Sequence, residues 1–177
     1  MIRPLVYYGD PRLRKKCQKI QTISSDVHQL AADLIESMDA YHGAGLAAPQ
    51  IGELFQLFVI SYIGTDEEGS PIMGEPEVYI NPRIISYSDE SIILEEGCLS
   101  VPGLRAPVER PVEVTVESLR LDGSIRKETV DGWRARVILH EYDHLNGTLF
   151  IDRTAKKNRN KMDAALRLLK KKYNPTI

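Results

Sequence analysis

Apolar residues follow a helical period near both ends of the chain and a strand period between them. In residues 26–41, DVHQLAADLIESMDAY, one stripe carries Val27, Leu30, Ala31, Leu34, Ile35, Met38 and Tyr41, which predicts an amphipathic helix. Ser24 or Ser25 can cap it, and Gly43 and Gly45 break it. FQLFVISY (55–62) is rich in aromatic and β-branched residues and predicts a buried strand. The polar stretch GTDEEGSPIMGEPE (64–77) holds two prolines and predicts a loop. VYINPRIISY (78–87) predicts a strand bent at Asn81-Pro82, and SIILEE (91–96) a short strand. VEVTVESLRL (112–121) alternates cleanly, and Asp122-Gly123 predicts a two-residue hairpin turn into SIRKETV. Asp131 is placed to cap a helix over WRARVILHEYDHLN, which ends at Gly147. A last amphipathic helix is expected over residues 155–172, with Met162, Ala165, Leu166 and Leu169 inward.

Strands thus cluster between helical ends without βαβ alternation. This predicts an α+β fold: mostly antiparallel sheets around a buried helix, with an N-terminal and a C-terminal helix. The 177 residues suit one domain, taken as 1–155, followed by a basic C-terminal helix and tail, 156–177. The composition, 42% hydrophobic and 27% charged, is that of a soluble globular protein. No apolar run resembles a signal peptide or a membrane span, so a cytosolic address is expected, with no membrane partner. In a reducing cytosol Cys17 and Cys98 are expected as free thiols or metal ligands. The net charge of −2 gives no general sign of DNA binding. It hides an asymmetry, because residues 153–173 carry nine Lys/Arg against Asp163 alone, a segment charge of +8. Such a segment is either an interaction arm or a solvated helix face.

The helix over 131–146 carries the candidate chemistry. His140 and His144 stand at i and i+4, so both imidazoles project from one face and can hold one divalent ion. Glu141 lies beside them, placed to take a proton from an activated water. Trp133 and Val137 extend that face, while Ile138, Leu139, Tyr142 and Leu145 cover most of the rest, so the helix should be buried on nearly all sides. Two histidines and a carboxylate in a core need partners, which a metal supplies.

No histidine follows His144, and no acid lies at the downstream spacing of a zinc peptidase. Upstream, EEGCLSVPG (95–103) offers Cys98 at a strand end before a Pro-Gly turn, where its thiolate can reach another element. Two histidines and a cysteine leave a coordination position open, the mark of a catalytic site. Cys17, in RKKCQKI, looks like part of a charged loop or strand edge, and His28 and His42 like surface or helix-end residues. GAGLAAPQIG (43–52) resembles a dinucleotide loop only superficially, since a helix precedes it where a strand is required. It offers close backbone approach to a ligand and, in Gln50, an amide able to donate to an oxyanion. These residues alone leave a zinc endopeptidase and a structural-metal module as alternatives.

Three segments, in order, resemble the motifs of the peptide deformylases. GAGLAAPQ is similar to G-x-G-L-A-A-x-Q, EGCLS to E-G-C-L-S, and HEYDH to H-E-x-D-H; GDPRLRKK resembles the family's N-terminal segment. The resemblance reaches to about residue 155. It implies a bacterial cytoplasmic hydrolase that removes the N-formyl group from the initiator methionine of nascent polypeptides and releases formate. It implies Fe(II) as the cofactor, with zinc, nickel or cobalt able to substitute, held by Cys98, His140 and His144. Glu141 would be the general base and acid, and Gln50 and the Leu99 N–H the oxyanion donors. Gly45, through its backbone, and Arg105 would contact the peptide. Pro49 stands at a variable position and should stiffen its loop. Trp133 and Arg136 fall where the family lines its methionine pocket with apolar residues. Trp133 should narrow that pocket; Arg136 should make it polar, or lay its stem on the wall and send its charge to water. The resemblance also makes the phosphate-rich RNA near the ribosomal exit tunnel a sensible partner for the basic helix.

Overall fold

The computed structural model describes residues 1–68 and 71–174. Helix α1, Ser25–Ala40, follows Ser24 at the N-cap position, although that serine makes no side-chain capping bond. Strands β1 (Gly45–Ala47), β2 (Leu57–Thr65), β3 (Pro71–Tyr87), β6 (Glu113–Leu119) and β7 (Ile125–Asp131) form one antiparallel sheet in the order β1-β2-β3-β6-β7. Strands β4 (Ser91–Cys98) and β5 (Val101–Pro111) form a separate antiparallel pair. Helix α2, Gly132–Leu145, is followed by a short α3, Phe150–Arg153, and by α4, Lys156–Tyr173. The expected mixed fold with antiparallel sheets is therefore the observed one.

Each helix buries the stripe its sequence predicts. Ala31, Leu34 and Met38 of α1 pack on Leu46, Leu57 and Val59. In α2, Ile138 and Leu145 lie against Phe58, Ile60 and Tyr79, and Ala135 and Leu139 against Val114. Helix α2 is accordingly buried on most of its surface, charged groups included. Met162 and Leu166 of α4 pack on Val101, Ala106 and Val108 of β5. At roughly 1.5–3 kcal/mol for each buried side chain of this size, that face holds α4 on the body and turns its lysines outward.

Four local expectations need correction. Residues 71–77 are not loop but the start of β3, running beside the end of β2; Gly69 and Ser70 lie outside the described residues. The prolines fit because Pro71 opens the strand and Pro76 falls in the irregularity between the Ile60–Glu77 and Tyr62–Met73 pairs. Second, the Pro-Gly turn after Cys98 is part of strand β5. In a two-stranded ribbon alternate N–H groups face outward, so Pro107 and Pro111 cost little in ladder hydrogen bonds, and Gly103 (φ +76°) absorbs the irregular stretch. Third, the β6–β7 hairpin closes with Arg120 N–H on the Ser124 carbonyl at 2.9 Å, which makes a three-residue loop rather than two. Fourth, Asp131 occupies the N-cap position of α2 without a side-chain capping bond. The bend at Asn81-Pro82 is present: Asn81 has φ +49°, and its side chain bonds Ile20 N–H at 2.9 Å and Ile20 carbonyl at 2.8 Å.

Candidate active site

Three elements converge on one point. Helix α2 presents His140 and His144 one turn apart, and Cys98 reaches them from the end of β4. Cys98 Sγ lies 3.3 Å from His144 Nε2, and the three prospective ligand atoms all fall within 4.8 Å of one another. His140 Nδ1 is engaged with Glu96 Oε2 at 3.0 Å, which leaves Nε2 as its free ring nitrogen. One soft thiolate and two imidazole nitrogens at this separation fit a single first-row divalent ion with a coordination position to spare. It is the one group of three or more His, Cys or carboxylate donors among the described residues that is close enough to hold an ion. Cys17 is elsewhere, buried against Ala47 and Phe58, and burial pushes its thiol up to about 11. His28 and His42 are exposed.

Glu141 faces the same point and is 3% exposed. Its Oε2 has no hydrogen-bond partner in the protein. Burial, partly offset by the charge of His140, holds its carboxyl up at about 7. Across from it, β1 makes the close approach that the glycine loop suggested. A Cβ on Gly45 would lie 2.8 Å from Glu141 Oε1, so any larger residue would displace the buried carboxylate. Gln50, 1% exposed in the 3₁₀ turn Ala48–Ile51, has its orientation set by the Ala47 N–H, which bonds Oε1 at 2.8 Å. The amide nitrogen is thereby turned toward Cys98 Sγ (3.5 Å) and Ser100 Oγ (3.3 Å). Leu99 sits in the turn between β4 and β5, beside Cys98 and on the cavity wall.

Behind the cluster lies a buried charge network. Glu96 receives Arg110 on both oxygens at 2.9 Å, Arg136 on Oε1 at 2.7 Å and His140 on Oε2. Against the upward push of burial, Arg110 and His140 hold its carboxyl well below the usual range. Arg136 departs from both alternatives drawn from the sequence. Its guanidinium is buried and tied to Glu96, Val108 carbonyl (2.9 Å) and Ile92 carbonyl (2.7 Å), so the charge neither reaches water nor stands free in the pocket. Breaking one partner out of such a network costs about 3–5 kcal/mol, because the other charges stay buried.

A cavity of about 800 Å³ opens over the cluster, with Gly45, Leu99, Leu104, Trp133, Val137 and Glu141 on its walls. Trp133, in the first turn of α2, stays partly exposed at the wall, with the Arg136 guanidinium 5.8 Å from its ring centre. Arg105 lies opposite Gly97 across the β4–β5 ladder and is largely exposed, bonding the Glu95 carbonyl at 3.3 Å. A mostly apolar cavity beside a Cys-His-His group and an unpaired carboxylate suits metal-assisted hydrolysis of a bound ligand.

Comparison with known proteins agrees with that geometry. The sequence model of the polypeptide deformylase family matches residues 2–160. The chain belongs to this family. A peptide deformylase of Cytophaga hutchinsonii is 44% identical over 153 residues, covering 86% of this chain and 82% of the relative. One from Dictyoglomus thermophilum is 43% identical over 157 residues, covering 89% and 95%. Among solved structures, an inhibitor complex of an Arabidopsis thaliana peptide deformylase superposes with a TM-score of 0.86 at 36% identity, covering 97% of this chain and 92% of the other. A Legionella pneumophila peptide deformylase gives 0.83 at 36%, covering 99% and 96%.

The chain brings Gly45, Gln50, Cys98, Leu99, Arg105, Trp133, His140 and Glu141 to the walls of one cavity, with His144 grouped with Cys98 and His140, whereas Cys17 and His28 lie elsewhere. Sequence reasoning missed Glu96, Ser100, Arg110 and the true place of Arg136. Glu96 and Ser100 did carry a local signal: both lie in the EGCLS segment around the candidate ligand Cys98, and the buried His140 needed an acceptor.

Proposed function

We propose that the protein is a metal-dependent amidase that hydrolyses the N-terminal formyl group of nascent formyl-methionyl peptides and releases formate. The observation that carries this reading is the unpartnered Glu141 carboxylate beside the Cys98, His140 and His144 group. Cys98, His140 and His144 would hold a divalent ion, which would supply Lewis-acid activation of water and of the formyl carbonyl. Glu141 accepts the proton of the attacking water and returns it to the amine as the C–N bond breaks, leaving formate and a free methionyl terminus. Gln50 Nε2 and the Leu99 N–H donate to the oxyanion that develops between the two steps. The Ala47 bond to Gln50 supports that role, since the amide is oriented before substrate arrives. Gly45 leaves room for a peptide backbone next to Glu141, Arg105 meets the chain further out, and Trp133 shapes the methionine pocket. Fe(II) is the proposed ion, with zinc, nickel or cobalt as substitutes; an iron–thiolate pair would make activity oxygen-sensitive.

Metal-replete protein should release formate from formyl-Met-Ala-Ser and leave the unformylated peptide intact, with formate assayed by a coupled dehydrogenase. Internal cleavage without formate would replace this reading with an endopeptidase.

No helix among the described residues is long and apolar enough to cross a membrane. We place the protein in the cytoplasm, with the basic face of α4 docking on ribosomal RNA phosphate near the exit tunnel. Deleting α4 would be a poor test, since Met162 and Leu166 belong to the core. Changing the exposed Lys157, Lys161, Arg167 and Lys171 to glutamine should weaken ribosome co-sedimentation and leave free-peptide turnover unchanged. Unaltered co-sedimentation would sink the docking.

A further inference from the structure

We infer that Arg110 is a positioning residue for the metal centre, bracing both histidine ligands at once through Glu96 and Asp143. This inference rests on the metal reading above. Arg110 lies on β5, 4% exposed. Its Nε and Nη2 bond the two oxygens of Glu96 at 2.9 Å each, and its Nη1 bonds Asp143 Oδ2 at 2.7 Å. Each acid leads to a different ligand. Glu96 Oε2 engages His140 Nδ1 at 3.0 Å, which directs the other ring nitrogen toward the ion. Asp143 precedes His144 on α2, and its backbone carbonyl receives Asn146 N–H (2.9 Å) and Thr148 N–H (3.0 Å) at the helix end. One planar guanidinium therefore fixes the ring of His140 and the turn that carries His144.

Cys98 is drawn into the same frame. It stands two residues after Glu96 on β4, and Arg110 pairs across to Ile92 of that strand. Arg136 approaches from the opposite side, from helix to strands, but its bonds go to Glu96 and to the carbonyls of Ile92 and Val108. Among these arginines, Arg110 is the one that spans both acids. Arg153 also holds Asp143, through Nε at 3.1 Å and Nη2 at 2.6 Å, from a half-exposed position. A lysine at 110 could not reproduce the bidentate bond and the third contact together, because it presents a single point charge.

The experiment uses full-length protein stripped of metal and titrated with Co(II), against a chromophoric chelator for affinity and by visible absorption for coordination. Circular dichroism and thermal melting of the metal-free form check folding. Arg110→Gln is expected to bind Co(II) about 10–100-fold more weakly, with an altered absorption spectrum. Arg110→Lys should recover part of the loss, and Arg153→Gln, which leaves Glu96 and the Arg110–Asp143 bond in place, should weaken Co(II) binding less than Arg110→Gln does. Because Arg110 acts largely through Glu96, Arg110→Gln with Glu96→Gln should be less than additive on metal affinity. Wild-type affinity and spectrum in a folded Arg110→Gln, or full additivity with Glu96→Gln, would overturn the inference. If Arg110→Gln does not fold, Arg110→Lys decides the matter by the same affinity and spectral readouts. Failure of the wild type itself to bind Co(II), or binding undiminished in Cys98→Ala, would instead overturn the metal reading.

Discussion

Cys98→Ala is expected to lose stoichiometric metal and, with it, formate release. Cys98 supplies the one anionic donor of the three, and its Sγ lies 3.3 Å from His144 Nε2. Without it, two imidazoles one helical turn apart must hold the ion alone. Altering a residue that only supports a ligand costs about 10–100-fold in affinity, so removing the ligand should exceed the upper end of that range. The fold should survive. Alanine fits the space, Gln50 Nε2 keeps Ser100 Oγ as its acceptor at 3.3 Å, and Glu96 keeps its bonds to Arg110 and Arg136, neither of which involves the thiol. Metal analysis after dialysis against a weak chelator is the measurement, with circular dichroism beside it. A full equivalent of metal in the folded variant would remove Cys98 from the ligand set.

The candidate ligands were legible because their geometry is local. The i, i+4 spacing of His140 and His144 becomes one face of a helix whatever the rest of the chain does. Cys98 could be found by elimination, since no later histidine or suitably spaced acid was available. The supporting residues could not be found this way. Arg110 lies between Glu109 and Pro111 in a proline-interrupted stretch whose pattern predicts no element, yet it is 4% exposed at the centre of a charge network. Its burial is a property of where β5 meets α2, which no window of sequence contains. Arg136 shows the same limit. On a helical wheel it falls on the pocket side, but the strand carbonyls that capture its charge lie 44 and 28 residues away. Strand β5 itself was hidden by Pro102, Gly103 and Pro107, residues that argue against a central strand but are tolerated in a two-stranded ribbon.

Glu141→Gln should lower formate release by about 10²–10⁴-fold, the usual contribution of a positioned general base, while the ion stays bound. The amide keeps the shape of the carboxylate, which matters because Gly45 presses against it: the space a Cβ would need there ends 2.8 Å from Oε1. A variant that lost metal together with activity would make Glu141 part of the ion's cage rather than the base. The same substitution has a signature in the metal-free protein, where burial holds the carboxyl at about 7 against an ordinary 4.5. Between those values the folded chain keeps a proton that the unfolded chain has released. The contribution of Glu141 to stability is therefore fully present below pH 4.5 and is lost as pH rises through about 7. Glutamine cannot ionise and escapes that loss. The melting temperature of metal-free Glu141→Gln, relative to metal-free wild type, should climb as pH rises from about 5 to about 7 and then level off. A difference that stays constant across this window would mean that Glu141 is not held in the desolvated state that makes it a base poised near neutrality.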